Sequence, residues 1–586
     1  MREWLETDGL GGFAMGAADG IRARRYHAVL LAATRPPDAR MVLVADLEVF
    51  VETAEGRYAL SSHRYAGDVI HPDGATRIIS FSHEPWPRWE WLLPDGVQIA
   101  CELAVVPGAP CTHVRWTQLA GAPARLWVRP LLAPRDYHAT HHENGAFRFD
   151  AETRGDTVRW RPYDGVPAIA CRHPGRYEHA PDWYHRFHLA AEAARGLDCE
   201  EDLASPGVFT FELPGTLAFG MDAVVDGAFE PRSAGLDRAA EQYLVARGSG
   251  TTVIAGYPWF ADWGRDTFIS LRGLCTARGK RETAGAILHQ WARAIDRGML
   301  PNRFGEQDAA PEYNSVDAAL WFVIAAGAHG LDAELHTAVN TIVDGYAHGT
   351  RHGIRADADG LLACGEPGLQ LTWMDAKIGD VVITPRIGKP VEIQALWINA
   401  LEIAGRDTRK ARAAFGERFW NDGALYDVVD CDHVPGTADP TFRPNQIFAV
   451  GGLPHPLLEG DRARAVVDRC FEELWTHAGP RSLSPADSRY RGRYLGGPLE
   501  RDRAYHNGPV WPWLAGAFVE AWVRVHGDKA EARHRFFAPL VERLELAGLG
   551  HLSEICDGDA PHTPCGCPFQ AWSVAELVRL DRSVLR

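Results

Sequence analysis

The hydrophobic periodicity of this chain changes once along its length, and that change limits the folds it can adopt. Up to about residue 215, apolar and polar residues alternate with the period of two that is typical of β-strands. Segments 89–93 and 97–100 flank a Pro-Asp-Gly turn, and Val114 and Trp116 continue the alternation. Residues 1–215 are therefore predicted to form an antiparallel β-sandwich.

From about residue 230 the apolar residues recur every 3.6 positions, which indicates amphipathic helices. Three such stripes are Ala284, Ile287, Leu288, Trp291, Ala292 and Ile295; Ile393, Leu396, Trp397, Ala400, Leu401 and Ala404; and Leu514, Phe518, Ala521, Trp522 and Val525. No strand pattern alternates with them, which disfavours a β/α barrel. An all-α toroid of helical hairpins is predicted for 236–586, with its loops forming a pocket at one end. Pro214, Gly215 and Gly227 interrupt the pattern, so 216–235 is predicted to be a linker.

Charge and cysteine usage exclude several classes of protein. The 586 residues carry 61 basic and 77 acidic side chains, a net charge of −16, without a long basic run. Nucleic acids and anionic membranes require clustered Lys and Arg, so neither is an expected partner. Eleven irregularly spaced cysteines are a poor disulfide framework and favour a reducing compartment. No signal core and no apolar segment of transmembrane length is present, so a cytoplasmic location is predicted.

The first segment that can carry chemistry is 257–266, which leads into a predicted helix. Trp259 and Trp263 can stack on the C–H face of a sugar ring, while Arg265 donates to paired hydroxyls and Asp266 accepts from them. In the alternative interpretation, Asp266 only caps the helix and the tryptophans are core residues. The chain contains 20 Trp, so this choice between sugar platforms and core packing applies to several of them.

Two further segments contain carboxylates in apolar surroundings. Asp375 follows Trp373 and Met374, and such a setting raises the pKa of a carboxyl group, as a general acid needs. The alternative is a turn in which Asp375 bonds its own backbone. Glu554 lies between Leu552 and Ile555 and is a candidate for the base that activates water.

Metal sites and other hydrolase classes have less support. The acidic residues after Glu554 lack the twelve-residue calcium-loop pattern, and Cys565 and Cys567 lack the paired spacing of a zinc site, so no metal is expected. The G-x-S-x-G, Walker and H-E-x-x-H motifs are also missing from the sequence, so serine hydrolases, nucleotide hydrolases and zincins have no support.

The motif segments carry a resemblance to a known family. They are AGYPWFADWGRD (255–266), YNSVDAALW (313–321), LTWMDAKIGD (371–380), TPRIGKPVEIQALW (384–397) and GCPFQAWSVAEL (566–577), with EWLETDGLGGFAMG (3–16) and RRYH (24–27) near the N-terminus. The first five resemble the glucosidase domain of glycogen debranching enzymes, the amylo-α-1,6-glucosidase family. The last two resemble the N-terminal domain of its bacterial and archaeal members. The resemblance covers nearly the whole chain, with its motifs in the same order.

The resemblance implies a β-sandwich followed by an (α/α)6 barrel, and inverting hydrolysis of an α-1,6-linked glucose without a cofactor. Asp375 of the TWMD motif is then the general acid, and Glu554, ahead of the final motif, is the general base. Arg265 and Asp266 match a glucoamylase segment that holds the non-reducing glucose. The other implied substrate-binding residues are Trp259, Trp263, Tyr313, Asp317, Trp321, Trp373, Glu392, His506, Trp511, Gln570 and Trp572. By contrast, Trp291, Trp397 and Trp522 lie on helical stripes and are predicted to pack in the core.

The chain departs from the eukaryotic enzyme in one respect, because nothing in it matches that enzyme's separate glucanotransferase barrel. The expected partner is branched α-glucan, as glycogen or limit dextrin, processed with a separate glucanotransferase or phosphorylase. Short α-glucosides are the alternative substrate, which would make the chain a glucoamylase-like exo-α-glucosidase. A phosphorolytic enzyme and a non-catalytic glycogen-binding protein are two further alternatives, and the presence of both carboxylates disfavours them.

Overall fold

The computed structural model describes residues 1–305 and 310–586. The chain divides into two compact units. The β unit comprises Met1–Gly248 with Leu546–Gly550, and the helical unit comprises Ser249–Glu545 with His551–Arg586. The predicted fold class is confirmed, since antiparallel sheets form the first unit and a ring of helices forms the second.

The β unit contains two large sheets. Its strands are β1 (Glu3–Thr7), β2 (Phe13–Ala17), β3 (Ala28–Arg35), β4 (Asp38–Glu52), β5 (Arg57–Ala59), β6 (His63–Tyr65), β7 (Val69–His71), β8 (Ile78–Ser82), β9 (Arg88–Leu92), β10 (Gln98–Val105), β11 (Cys111–Ala120), β12 (Arg125–Asp136), β13 (Ala151–Arg154), β14 (Thr157–Trp160), β15 (Ile169–Arg172), β16 (Arg176–His188), β17 (Glu200–Glu212), β18 (Gly215–Met221) and β19 (Leu244–Arg247), and its helices are α1 (Ala190–Ala193) and α2 (Gly235–Gln242). The larger sheet has the order β1-β2-β3-β4-β12-β17-β16-β6-β7, with β5 beside β4. The smaller has the order β13-β14-β15-β18-β11-β10-β9-β8.

The core of the β unit lies between these sheets and follows from the period of two. The predicted strand–turn–strand is β9 and β10, which pair antiparallel with Trp91 opposite Ile99. Trp91 and Ile99 belong to one buried cluster with Trp116 from β11 and Val128 from β12. Alternate residues of these strands therefore face inward, as expected for a sandwich.

The β unit extends beyond its predicted end. Strand β18 occupies the start of the predicted linker 216–235, and the unit continues to Gly248. Arg232 and Arg238 bind the buried carboxylate of Glu6 at the other end of this unit, with Arg232 Nη1 at 2.6 Å. These ion pairs attach the segment after β18 to the first strand, so it is part of the β unit rather than a free linker.

The helical unit contains long helices separated by loops with short strand pairs. Its helices are α3 (Gly264–Leu274), α4 (Arg281–Ala292), α5 (Asp317–His329), α6 (Ala333–His348), α7 (Val391–Ile403), α8 (Arg409–Arg418), α9 (Gly460–Leu474), α10 (Pro498–Tyr505), α11 (Leu514–His526), α12 (Lys529–Ala532), α13 (Ala538–Glu542) and α14 (Ala571–Arg579). Its strands are β20 (Gly250–Val253), β21 (Gly256–Tyr257), β22 (Arg355–Ala356), β23 (Leu362–Ala363), β24 (Lys377–Ile378), β25 (Val381–Val382), β26 (Lys389–Pro390), β27 (Trp420–Asn421), β28 (Ala424–Leu425), β29 (Val428–Val429), β30 (Ala438–Asp439), β31 (Trp475–Thr476), β32 (Gly479–Pro480), β33 (Ile555–Cys556), β34 (Pro564–Cys565) and β35 (Phe569–Gln570). None of the described helices is both long enough and apolar enough to cross a membrane.

Six segments form a closed inner ring. Helix α3 packs on α5, α5 on α7, α7 on the short 3-10 helix Pro444–Ala449, that helix on α11, α11 on α14, and α14 on α3. The inner-ring helices bury most or all of their residues, because protein surrounds them; α5, α7 and α14 are examples. The helices outside the ring bury one face only, as α4, α8 and α9 do. This arrangement is the inner and outer layering of an (α/α)6 barrel.

Candidate active site

A cavity of about 530 Å³ opens at the end of the barrel where inner helices begin. Arg265 and Asp266 lie in the first turn of α3, and Trp572 lies in the first turn of α14. The strand pair β21–β35 places Gly256 opposite Gln570, so the first and last motif segments are adjacent. Helix N-termini carry partial positive charge, and anionic side chains are stabilised there. The barrel therefore provides a site for carboxylates at this end.

Arg265 connects two carboxylates at the floor of the cavity. Its Nε lies 2.9 and 2.8 Å from the two carboxylate oxygens of Asp317, and its Nη1 lies 2.8 Å from Oδ2 of Asp375. The Ser315 hydroxyl donates to Asp317 at 2.6 Å. Asp317 is buried and fixes the guanidinium, so it positions Arg265 rather than lining the cavity.

The sequence just before α3 fits this arrangement. Trp263 is extended and is followed by Gly264 as the first helical residue. A Cβ at Gly264 would lie 2.5 Å from the carbonyl oxygen of Pro301, so glycine is required for this close approach. Trp263 stays half exposed and lines the cavity, while Arg265 turns into the helix end.

Asp375 lies on the cavity wall in the loop that precedes α7. Its side chain is 27% exposed. Burial raises the pKa of this carboxyl group, while the neighbouring Arg265 acts in the opposite direction. Trp373, two residues earlier, is nearly buried, and its indole N–H donates to Oδ1 of Asn445 at 2.9 Å. This bond anchors the loop that holds Asp375.

Glu554 has a different environment in the same cavity. The Tyr505 hydroxyl donates to its Oε1 at 2.5 Å, and the backbone N–H of Cys567 donates to its Oε2 at 3.1 Å. Gly566 has a positive φ of 69°, and a Cβ there would lie 2.6 Å from Oε2. These hydrogen bonds fix the orientation of the carboxylate in the cavity, which a general base needs.

Asp266 is the third carboxyl group of the cavity. Burial raises its pKa to about 8; Arg265 opposes the rise, and the carboxylates of Asp375 and Glu554 add to it. The Gln570 amide donates to Oδ1 of Asp266 at 3.2 Å. Asp266 makes no side-chain cap to the start of α3, because the cap position is Trp263. A protonated Asp266 can both donate to a sugar hydroxyl and accept from one.

The structure brings eight of the sequence-predicted site residues together around this cavity. They are Trp263, Arg265, Asp266, Trp373, Asp375, Trp511, Glu554 and Trp572. The indole ring of Trp572 stacks on Trp513 and meets Trp511 edge-on, which fixes its position in the cavity lining.

Seven other predicted site residues lie outside the lining. The Tyr313 hydroxyl donates to the backbone of Ala294, and Trp259 packs edge-on against Phe260. Asp317 contacts Arg265, and Gln570 donates to Asp266, so each contacts a residue that lines the cavity. The three remaining residues are held by other groups: Glu392 by Arg386 at 2.7 Å, Trp321 between Arg272 and Phe448, and His506 in a stack on Trp511.

The structure also adds residues to the cavity that were not among the predicted site residues. These are Phe260, Asn302, Arg303, Glu312, Asn314, Gln370, Ala376, Lys377, Asp502 and Tyr505. The side-chain oxygens of Asn302, Asn314 and Gln370 are buried without a hydrogen-bond partner in the described part of the chain. The three residues line the cavity, but a ligand would reach these oxygens only after a change of side-chain rotamer. Among residues 1–305 and 310–586, no group of three or more His, Cys, Asp or Glu could hold a metal ion.

The chain is similar to a solved glycosidase structure and to two family models. The chain matches a bacterial glucoamylase whose structure was solved in complex with acarbose, with a TM-score of 0.58, 11% identity, and coverage of 99% of this chain and 93% of that one. This likeness shows a shared fold. The fold and the match of residues 238–579 to a glucosidase family model place the chain among the glycoside hydrolases. Residues 238–579 match the family model described as amylo-alpha-1,6-glucosidase, and residues 2–218 match glycogen debranching enzyme N terminal. The chain belongs to the amylo-alpha-1,6-glucosidase family.

A curated relative is the glycogen debranching enzyme of Saccharomyces cerevisiae. It is 24% identical over 463 residues, which cover 56% of this chain and 30% of the yeast protein. The chain thus spans less than a third of the length of this relative.

Proposed function

We propose that this chain removes α-1,6-linked glucose from branched α-glucans by inverting hydrolysis, with Asp375 as general acid and Glu554 as general base. The observation that carries the proposal is the contrast between the two carboxyl groups in one cavity. Burial raises the pKa of Asp375, whereas Glu554 accepts hydrogen bonds on both oxygens. Acid–base glycoside cleavage uses two carboxyl groups that have different environments in one site.

The chemistry follows from these two environments. Protonated Asp375 donates its proton to the glycosidic oxygen as the bond to C1 breaks, because an alkoxide is a poor leaving group. Ionised Glu554 takes a proton from a water molecule that attacks C1 from the opposite face, so the released sugar is β-glucose. Asp375 ends ionised and Glu554 ends protonated, and solvent exchange restores both groups.

The remaining groups of the cavity hold the sugar. In this proposal Arg265 and Asp266, which line the cavity, bind hydroxyls of the terminal glucose, and the half-exposed Trp263 and Phe260 stack on its C–H face. Fixing the ring against the acid and the base is a large part of the rate gain in such a site. Family membership supports an α-glucan as the substrate.

A single assay tests this proposal. The pure protein is incubated with phosphorylase-limit dextrin, with and without a separate glucanotransferase, and free glucose is measured. We expect glucose release, increased by the glucanotransferase because that enzyme exposes single α-1,6-linked residues. NMR at early times should show the β-anomer first. Early α-glucose would contradict inversion, and faster release from maltose or linear maltodextrin would favour a glucoamylase-like exo-α-glucosidase.

We also propose a cytoplasmic location for this activity. All eleven cysteines are free in the structure, including the neighbours Cys565 and Cys567, and free thiols are typical of a reducing compartment. Fractionation of cells that express the natural protein would test this location.

A further inference from the structure

A second aromatic groove lies on the β unit, on the outer face of the larger sheet. Its volume is about 520 Å³. The groove crosses the neighbouring strands β4, β12, β17 and β16. Phe50 on β4, Trp127 on β12 and Tyr184 on β16 supply its aromatic surface. We refer to this feature as the sheet groove.

The aromatic residues of the sheet groove are not part of the sandwich core. On β12, Leu126 and Val128 are fully buried between the sheets, so Trp127 lies on the opposite face. Phe50 pairs directly with Trp127 across the strands and points to the same side. An outer sheet face is ordinarily polar, whereas these two half-exposed aromatic side chains leave apolar surface side by side, with the Arg57 guanidinium lying over both rings.

Hydrogen-bonding groups surround this aromatic surface. The guanidinium of Arg57 lies 4.5 Å from the Phe50 ring centre and 5.0 Å from that of Trp127. The Tyr184 hydroxyl is 3.3 Å from Oε2 of Glu48. Within the described residues, the side chains of Arg57 and Glu178 make no hydrogen bond or ion pair, so a donor fork and a carboxylate are open to a ligand.

The charges of the sheet groove indicate what kind of ligand fits. Arg57 and Arg129 are balanced by Glu48 and Glu178, so the groove as a whole attracts neither anions nor cations. A neutral polyhydroxylated chain suits a groove without net charge, because it can pack on the exposed parts of the aromatic rings and hydrogen-bond to the Arg57 guanidinium that lies over Phe50 and Trp127. Trp127 is well suited to stacking, because its indole N–H donates to Glu52 at 3.0 Å and this bond restrains the ring.

We propose that the sheet groove is a second, non-catalytic binding site for α-glucan chains. The choice of α-glucan rests on the proposed function of the helical unit. A second attachment point raises the effective concentration of a polymer around the enzyme, so it affects polymeric substrates and leaves short ones unaffected.

The test compares glycogen binding of Trp127→Ala with that of the unchanged chain, both carrying Glu554→Gln to stop turnover. Affinity gel electrophoresis should show glycogen binding weakened about tenfold. Trp86→Ala is the matched control, because Trp86 is also half-buried in the β unit and donates its indole N–H to Glu102 at 3.1 Å, outside the groove. Trp86→Ala should bind glycogen like the unchanged chain, and Trp127→Phe should keep most of the binding.

Activity separates this proposal from the proposed function. With Glu554 restored, Trp127→Ala should cleave a short oligosaccharide carrying one α-1,6-linked glucose at the normal rate and should lose rate only on dilute glycogen. If Trp127→Ala binds glycogen as well as the unchanged chain does, the groove proposal is wrong. It is also wrong if Trp127→Ala loses the same fraction of its cleavage rate on the short oligosaccharide and on dilute glycogen. If the unaltered chain binds glycogen through Trp127 but releases no glucose from any α-glucan, the groove proposal stands and the proposed function fails.

Discussion

The cavity of the helical unit and the sheet groove of the β unit have similar volumes and similar residue types. They measure about 530 and 520 Å³, and each combines aromatic rings with arginine and carboxylates. They differ in burial: Glu554 is 4% exposed, whereas Glu178 is an exposed strand residue. Burial raises the pKa of a carboxyl group, as it does for Asp266 and Asp375 in the cavity. The same residue types can therefore perform acid–base chemistry in one place and only bind in the other.

Secondary structure accounts for part of this difference. The cavity lies where the N-termini of α3 and α14 meet, and the helix dipoles there favour negative charge. A sheet face has no comparable net dipole, because strand dipoles alternate in direction. The barrel holds Asp266, Asp375 and Glu554 in one small space with the help of the Arg265 guanidinium, which binds Asp375 at 2.8 Å.

The largest expected effect is that of removing the proposed base. Glu554→Gln should lower the hydrolysis rate about a thousandfold, because water then has no proton acceptor, while substrate binding is kept. The matched change in the sheet groove, Glu178→Gln, should leave the rate on a short oligosaccharide within about twofold. Steady-state glucose release measures both. A comparable loss from Glu178→Gln would show that the two regions do not differ as described.

The loss of hydrolysis rate on removing the proposed acid should depend on the leaving group of the substrate. Asp375→Asn should reduce cleavage of a natural α-1,6 linkage about a hundredfold or more, since an unprotonated sugar oxygen leaves poorly. With α-glucosyl fluoride, whose fluoride needs no proton, the loss should be less than about tenfold. Because burial raises the pKa of Asp375, the wild-type rate should fall as pH rises through that raised value. An equal loss on both substrates would remove Asp375 from the role of acid.

Tyr505 offers a smaller and more specific test, as a positioning residue for Glu554. Tyr505→Phe removes the hydroxyl 2.5 Å from Oε1, so the carboxylate becomes easier to protonate. The acid limb of the kcat/KM profile should move up by about one pH unit, with a smaller change at the plateau. A purely structural role would lower the rate equally at all pH values. Tyr313→Phe, which alters a tyrosine outside the cavity, should leave the acid limb in place.

The sequence allowed the fold class to be predicted but not the boundary between the units. Periods of two and 3.6 are local, so they can be read from neighbouring residues. The end of the β unit depends on Arg232 and Arg238 reaching Glu6, a contact between residues more than 200 positions apart. Such a pairing has no local signature.

The candidate site shows the same limit. Motif segments contain six of the eight predicted residues that line the cavity, because those segments precede or begin inner helices. The other two, Trp511 and Glu554, lie ahead of α11 and of the last motif segment. Trp321 lies four residues after the start of α5, one turn below the cavity end, and Glu392 is held by Arg386. Tyr505 and the amides of Asn302 and Gln370 were missed because they belong to no recognisable motif, and only the closed barrel brings them to the cavity.

The smallest expected effect concerns stability and the third carboxyl group of the cavity. Burial raises the pKa of Asp266 from 3.8 to about 8, so between these values the folded state binds more protons than the unfolded state. Stability from this group is therefore complete below about pH 4 and is lost as pH rises towards 8. Asp266→Asn removes the titration and should narrow the difference in Tm between pH 5 and pH 8 by about 3 °C or more. The control is Asp380→Asn, which changes an exposed carboxylate of the same unit and should keep the wild-type difference in Tm between pH 5 and pH 8. If Asp266→Asn also keeps that difference, Asp266 is ionised in the folded protein.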